Sequence, residues 1–191
     1  MAPRAYRLGR RADSAEDTRR RIVEATRALH GERGVADTTV KQIAHRADVS
    51  VGTIYHHFPT YDDMIRACGA LTFALARPPT EAIFVGARSA RARVERLTQE
   101  LFACYERFPA LEGARSERAK LPALDQELAK FDNHVAALVR RAAAPAGERV
   151  QRMAHALTDV AVYRILTQQG LTRTEAAAQI ATLLQWWMRR A

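Results

Sequence analysis

The sequence predicts an all-α protein. Three observations carry this. Apolar residues recur at helical spacing in almost every readable segment. No stretch alternates apolar and polar residues as a half-buried strand would. Proline and glycine fall between the periodic segments, at Gly34, Pro59, Pro78, Pro79, Pro109, Pro122 and Gly170, where helices are expected to stop.

Taken in order, residues 1–13 hold Arg4, Arg7, Arg10 and Arg11 against one acid, Asp13. They read as a flexible basic arm. A first helix is expected from a Ser14 cap to Arg33, with Ile22, Ala25, Thr26 and Leu29 on one face and Gly34 just past its end. A second begins after Thr39, where Gln42 completes a candidate capping box. A third, short helix starts after Ser50 and stops at Pro59, and a fourth runs to about Ala76 with Asp62 and Asp63 in its first turn. Residues 78–90 give little signal. Helices follow over "RARVERLTQELFACYERF" and "LDQELAKFDNHVAALVRRA", with residues 111–121 between them expected as a loop around Gly113. One helix is expected over 148–169, and a last one after the capping box from Thr172 to Glu175.

Composition narrows the function. The 191 residues suffice for one medium domain or two small ones, and 48% are apolar, so a core can form. The net charge is +9. Lys41, Lys120 and Lys130 are the lysines, and the other basic residues are arginines. A basic chain suits a polyanion, and arginine suits forked contacts to phosphate or guanine. A genome rich in Ala and Arg codons would raise the same count. Cys68 and Cys104 have neither the number nor the spacing of a zinc site or disulfide framework and are expected as buried thiols in a reducing cytoplasm. The N-terminus has no apolar signal segment, and no charge-free run is long enough for a bilayer. A soluble cytoplasmic protein without cofactor or membrane partner is expected. No phosphate loop, HExxH, paired-cysteine motif or Ser-His-Asp string suggests an enzyme.

The segment "VGTIYHHF", residues 51–58, is poor helix sequence in a chain of good helix formers. On a helical wheel Val51, Ile54 and Phe58 share an apolar face, with Tyr55 at its edge. Gly52, Thr53, His56 and His57 lie opposite, offering a close approach, a hydroxyl and two imidazoles. A helix from Thr39, a three-residue turn and this short helix have the outline of a helix-turn-helix, whose second helix enters the major groove. The histidine pair is not a metal site, since adjacent side chains on a helix diverge by about 100°.

The longer string "TRRRIVEATRALHGERGVADTTVKQIAHRADVSVGTIYHHFPTYDDMI" resembles the DNA-binding domain of the TetR (tetracycline repressor) family. The resemblance rests on Gly34, Thr39, Ile43, Ala44, Ala47, Val49, Ser50, Gly52, Thr53, Tyr55, His57 and Phe58 and covers about a quarter of the chain. It implies three parts: the arm 1–13, a helix-turn-helix domain 14–60, and a helical effector-binding and dimerisation domain 61–191. It implies that Thr39 and Ser50 meet phosphates through their helix N-termini, and that Val51, Gly52, Thr53 and His56 face base edges. Tyr55 and His57 would bond phosphate oxygens; the alternative is that they mainly pack the domain. Where the family usually has a phosphate-contacting lysine, this chain has Tyr61, so that anchor is either lost or moved to the arginine-rich arm 1–13, which is either a contact for the DNA minor groove or a solubilising tail.

The resemblance further implies a homodimer on a near-palindromic operator in double-stranded DNA, formed by the last two helices. Leu157, Val160, Ile180, Leu184 and Trp187 are the candidate interface residues. It implies a pocket for a small-molecule effector of unidentified chemistry, with Phe102, Tyr105, Phe131, His134, Met153 and Tyr163 as candidate lining or plain core. The expected function is a ligand-released repressor. An activator of the same fold and a sequence-blind architectural DNA binder are the alternatives.

Overall fold

The computed structural model describes the backbone of residues 4–144 and 146–190, and the side chains of 14–144 and 146–190. Among these the structure is helical, with no strand: α1 (Arg4–Arg33), α2 (Val40–Ala47), α3 (Val51–His57), α4 (Tyr61–Ala76), α5 (Ala90–Arg107), α6 (Leu111–Glu117), α7 (Pro122–Ala143), α8 (Glu148–Leu157), α9 (Val160–Gln168) and α10 (Arg173–Met188). Single 3-10 turns cover Glu81–Phe84 and Arg118–Lys120. The contacts group into two compact units: residues 1–72 with 116–125, and residues 73–115 with 126–191. The first thus extends past the boundary at 60 suggested by the helix-turn-helix pattern.

The first unit closes around Ile22, Val23, Ala25 and Leu29 of α1, Ile43, Ala44 and Ala47 of α2, Ile54 of α3, Phe58, and Met64 of α4. The expected α1 stripe is therefore its buried face, and the Thr26 hydroxyl is satisfied by donating to the Ile22 carbonyl at 2.8 Å. The Thr39 capping box forms in full, with Thr39 N–H donating to Gln42 Oε1 at 2.9 Å and Gln42 N–H to Thr39 Oγ1 at 3.3 Å. Asp48 ends α2 in the left-handed region at φ 53, which turns the chain within three residues. Ser50 caps α3, accepting from Thr53 N–H at 3.0 Å.

In the second unit α5 packs along α10. Leu97, Leu101 and Cys104 of α5 and Ala176, Ala177, Ile180, Ala181 and Leu184 of α10 are all buried, and the alanines let the two helices approach closely. Leu128, Phe131, Val135 and Leu138 give α7 its buried stripe. The capping box at Thr172 and Glu175 forms as expected. No described helix is long and apolar enough to cross a membrane.

Three elements differ from expectation. Helix α1 starts at Arg4, not at Ser14, so the stretch expected as an arm has a helical backbone from residue 4 onward. Past Pro3 it is mostly Ala, Leu and Arg, which favour helix, and no later proline breaks it. The expected loop 111–121 contains α6, fixed by the fully buried Leu111 despite Gly113. The single helix expected over 148–169 is two helices. Thr158 and Asp159 break it because their side chains compete for the backbone. Thr158 Oγ1 donates back to the Ala154 carbonyl at 2.8 Å, while Asp159 accepts from Ala161 N–H at 2.8 Å and caps α9.

Candidate nucleic-acid interface

Helix α3 is held by two side chains: Ile54 is fully buried and Phe58 nearly so. The Arg19 guanidinium lies over the Phe58 ring, 4.6 Å from its centroid, and covers it from solvent. The rest of the helix faces outward. Gly52 and His56 are exposed, Thr53 is half-buried, and Tyr55 is 50% exposed. Val51 is 37% exposed, so it does not join the buried face the helical wheel gave it. It is the first residue of a seven-residue helix and projects past the core that Ile54 reaches.

Thr53 Oγ1 and Ser50 Oγ lie 2.8 Å apart, so the cap and the candidate base-reading hydroxyl form one polar group. The His56 and His57 rings meet edge to face, 5.4 Å between centroids. Burial first, then the neighbouring His56 and Arg19, hold His57 below the ordinary histidine range, so it favours the neutral ring. Thr39 and Ser50, the two caps, are both exposed. Among the described residues no group of three or more His, Cys, Asp or Glu is placed to hold a metal ion.

Tyr61 has an inward role. Its hydroxyl donates to the Val35 carbonyl at 2.7 Å. It lies 3.0 Å from His30 Nε2. Since the phenol proton goes to Val35, the network assigns the Nε2–H tautomer to His30, donating to Tyr61. Burial holds His30 down at about 4 and pushes the Tyr61 phenol well above its ordinary range. Sequence reasoning missed His30. It also missed a basic concavity of about 290 Å³ lined by Leu29, Arg33, Lys41, Gln42, His45 and Arg46. Lys41 and His45 lie four apart on one exposed face of α2, a signal the sequence did carry. Arg46 forms a fork with Glu32, at 2.6 and 2.8 Å.

In the second unit, four of the six candidate pocket residues come together. Phe102, Tyr105, Phe131 and Tyr163 are all buried. Their rings touch in sequence, with centroids 5.2 Å apart for Phe102–Tyr163, 5.9 Å for Tyr105–Tyr163 and 6.4 Å for Tyr105–Phe131. Phe73 and Phe108 extend the cluster through Phe131. The rings fill the space between them, so in this conformation these residues are core. Tyr105 donates to the Thr158 carbonyl at 2.9 Å, and burial raises its phenol far above the ordinary range. His134 is half-buried, its ring edge to face with Phe73 at 6.2 Å between centroids and its Nε2 2.6 Å from the Pro79 carbonyl. Met153 is half-buried on α8. An open groove of about 440 Å³ lies instead beside Arg91, Gln185, Met188 and Arg189, and none of the cluster's rings lines it.

The candidate interface residues also shift. Val160, Ile180 and Leu184 are buried in the chain's own core, Leu157 and Trp187 are half-buried, and the exposed apolar side chains of α9 and α10 are Ile165, Leu183 and Trp186. Counting apolar residues along α10 could not fix this phase, because both of its faces are apolar. Cys68 and Cys104 are free and buried, and burial raises both thiols, Cys104 to about 11.

A capped helix, a left-handed turn and a short outward-facing helix on a core shared by α1, α2, α3 and α4 define a helix-turn-helix domain, with a separate helical unit behind it in sequence. A family model described as bacterial regulatory proteins, tetR family, matches residues 22–68. Residues 22–68 are thus a TetR-family DNA-binding domain. The chain is 26% identical over 100 residues to the HTH-type transcriptional repressor KstR of Mycobacterium tuberculosis, covering 52% of this chain and 46% of that protein. It is 45% identical over 47 residues to the HTH-type transcriptional regulator SrpR of Pseudomonas putida, covering 25% of this chain and 22% of that one. The chain thus spans less than half the length of these curated relatives. Its fold is similar to that of a candidate TetR-family transcriptional regulator from Rhodococcus sp., with a TM-score of 0.62, 20% identity, and 91% and 99% of the two chains covered. It is also similar to the multidrug binding protein EbrR complexed with imidazole, with a TM-score of 0.61, 21% identity, and 87% and 88% covered.

Proposed function

We propose that the protein is a sequence-specific DNA-binding transcriptional regulator, a repressor that leaves a near-palindromic operator when a small-molecule effector binds. The observation that carries this is the face of α3. Ile54 alone of its seven residues is fully buried, so the helix is fixed by the core while Val51, Gly52, Thr53, Tyr55 and His56 are available to a groove. Gly52 lets the backbone approach, and Thr53 and His56 supply groups that hydrogen-bond base edges. Thr39, Ser50, Tyr55 and His57 contact phosphates, with Lys41 and Arg33 beside them as flanking charges. Replacement of the usual lysine by an inward Tyr61 removes one phosphate contact, and the basic residues of α2 offset it.

A homodimer sets two recognition helices about one turn of DNA apart. Its surface is the exposed apolar face of Ile165, Leu183 and Trp186, with Trp187 at the edge. The effector enters the second unit by parting the aromatic cluster around Phe102, Tyr105, Phe131 and Tyr163. It shifts the DNA-binding equilibrium by no more than its difference in affinity for the two states. The protein acts in the cytoplasm, where its DNA lies.

Selection of bound duplexes from a random library by the full-length protein at physiological salt tests the reading. A near-palindromic consensus supports it. Equal retention of all sequences, lost steeply as salt rises, would instead identify an architectural binder drawn by the net charge of +9.

A further inference from the structure

Glu117, the last residue of α6, belongs to the first unit and is 9% exposed. A carboxylate so buried has to be satisfied by donors. Its Oε2 accepts from Val35 N–H at 2.6 Å and from Ala36 N–H at 3.3 Å. These amides follow Gly34, which ends α1 in the left-handed region at φ 90. Successive N–H groups after a left-handed residue converge into an anion-holding concavity. A Cβ at position 34 would stand 2.5 Å from Glu117 Oε1, so the glycine serves both the turn and the carboxylate.

The same turn is gripped from its other side. The Val35 carbonyl receives the Tyr61 hydroxyl, backed by His30. Thr38 Oγ1 donates to the Gly34 carbonyl at 2.7 Å, and Thr39 then opens α2. The turn therefore fixes where α2 starts, and α3 packs on α2. Both polar groups of Val35 are held by side chains from outside the turn, one of them from 82 residues along the chain.

We propose that Glu117 is a positioning residue for DNA recognition: its carboxylate, seated on the Val35 and Ala36 amides, holds the α1–α2 turn in the geometry that presents α3 to the groove, and withdrawing it releases specific DNA. This rests on the DNA-binding reading above. Charge separates this role from electrostatics. Removing Glu117 makes the protein more positive, which tightens phosphate-driven binding. A positioning role instead weakens the specific complex.

The test uses full-length protein, E117Q and G34A. It measures affinity for the selected operator and for a random duplex, together with amide exchange at residues 35 and 36 and the melting temperature. E117Q keeps the volume and loses the charge. The expected result is operator binding about tenfold weaker, unchanged or tighter random binding, faster exchange at 35 and 36, and the same direction of change in G34A. A lower melting temperature with operator affinity intact, measured well below unfolding, overturns the proposal and leaves a stabilising contact only. If the unmodified protein selects no duplex, the DNA-binding reading itself fails and the proposal falls with it; if it selects a consensus that E117Q binds equally well, only the proposal fails.

Discussion

Acid should loosen the first unit chiefly through His30, the more strongly shifted of its two lowered histidines. His30 lies beneath Tyr61, and burial holds its imidazole at about 4 against an ordinary value of 6.5. The unfolded chain therefore takes up a proton at a pH where the folded chain refuses it. By linkage, stability is fully present above pH 6.5 and is lost as pH falls through the window down to about 4. At 1.36 kcal/mol per unit this shift is worth about 3 kcal/mol at the low-pH limit and about 2 kcal/mol at pH 5. That is a sizeable share of the ~5–15 kcal/mol that holds a typical domain. The comparison is His30→Gln, whose amide can still donate to the Tyr61 hydroxyl but does not titrate. Amide exchange across α1 and α2 in the full chain, from pH 7.5 to pH 5, gives the local opening free energy, compared between the two proteins at each pH. The native protein should lose about 2 kcal/mol more than the variant. His57, which is also held low, is present in both and cancels. The reasoning is refuted if the His30 ring proton resonances titrate near 6.5, or if the variant softens in acid as much as the native protein.

Three further outcomes follow from the geometry. Thr53→Ala removes the hydroxyl that meets Ser50 and faces outward, and should lower discrimination at one base position by about 1–2 kcal/mol; an unchanged consensus on repeating the library selection would contradict the docking of α3. Arg115→Met withdraws the cation that lies 2.6 Å from both Asp132 and Asp159, and should cost the second unit about 2–3 kcal/mol, read as a lower thermal midpoint in calorimetry. Leu183→Glu, at an exposed site, should leave the fold intact by circular dichroism and convert the proposed dimer to monomer in sedimentation; a persisting dimer would mean that the interface lies on another face.

Legibility of the sequence differed between the two units, for a physical reason. The helix-turn-helix is written in local signals. The Thr39 capping box, the Ser50 cap, Gly34 and the apolar spacing of α1 and α2 each act within a few residues, so each is visible in the string and each is realised. The second unit is held by long-range packing, and there spacing gave helices but not their faces or breaks. Thr158 and Asp159 looked like two polar residues inside a long helix. They break it because Tyr105 and Arg115, more than 40 residues away, give the freed backbone and the Asp159 carboxylate their partners. The phase of α10 was unreadable for the same reason. Ile180 and Leu184 were expected at a partner's surface, yet they face α5, where Ala176 and Ala181 admit it closely.

Tyr61 shows what a departure from a family pattern can carry. The sequence marked it as a lost lysine and so as a weaker hold on phosphate. A lysine there would project a charge to solvent, because an ammonium is costly to bury. A tyrosine can turn inward, since its ring adds to the core around Ile43 and Met64 and its one polar atom finds the Val35 carbonyl. The exchange turns the side chain inward, onto the turn between α1 and α2. It also gives the neutral His30 a partner and grips, through the Val35 carbonyl, the turn whose amides Glu117 holds. Phosphate affinity and alignment are separate contributions to the same complex, the first sequence-blind and salt-dependent, the second specific. Tyr61→Lys should therefore not act as a restoration. It would add a charge for phosphate and remove the hydroxyl from Val35, so binding to random duplex should tighten while preference for the operator narrows. A variant that gained affinity for both in equal measure would show that Tyr61 contributes nothing to alignment.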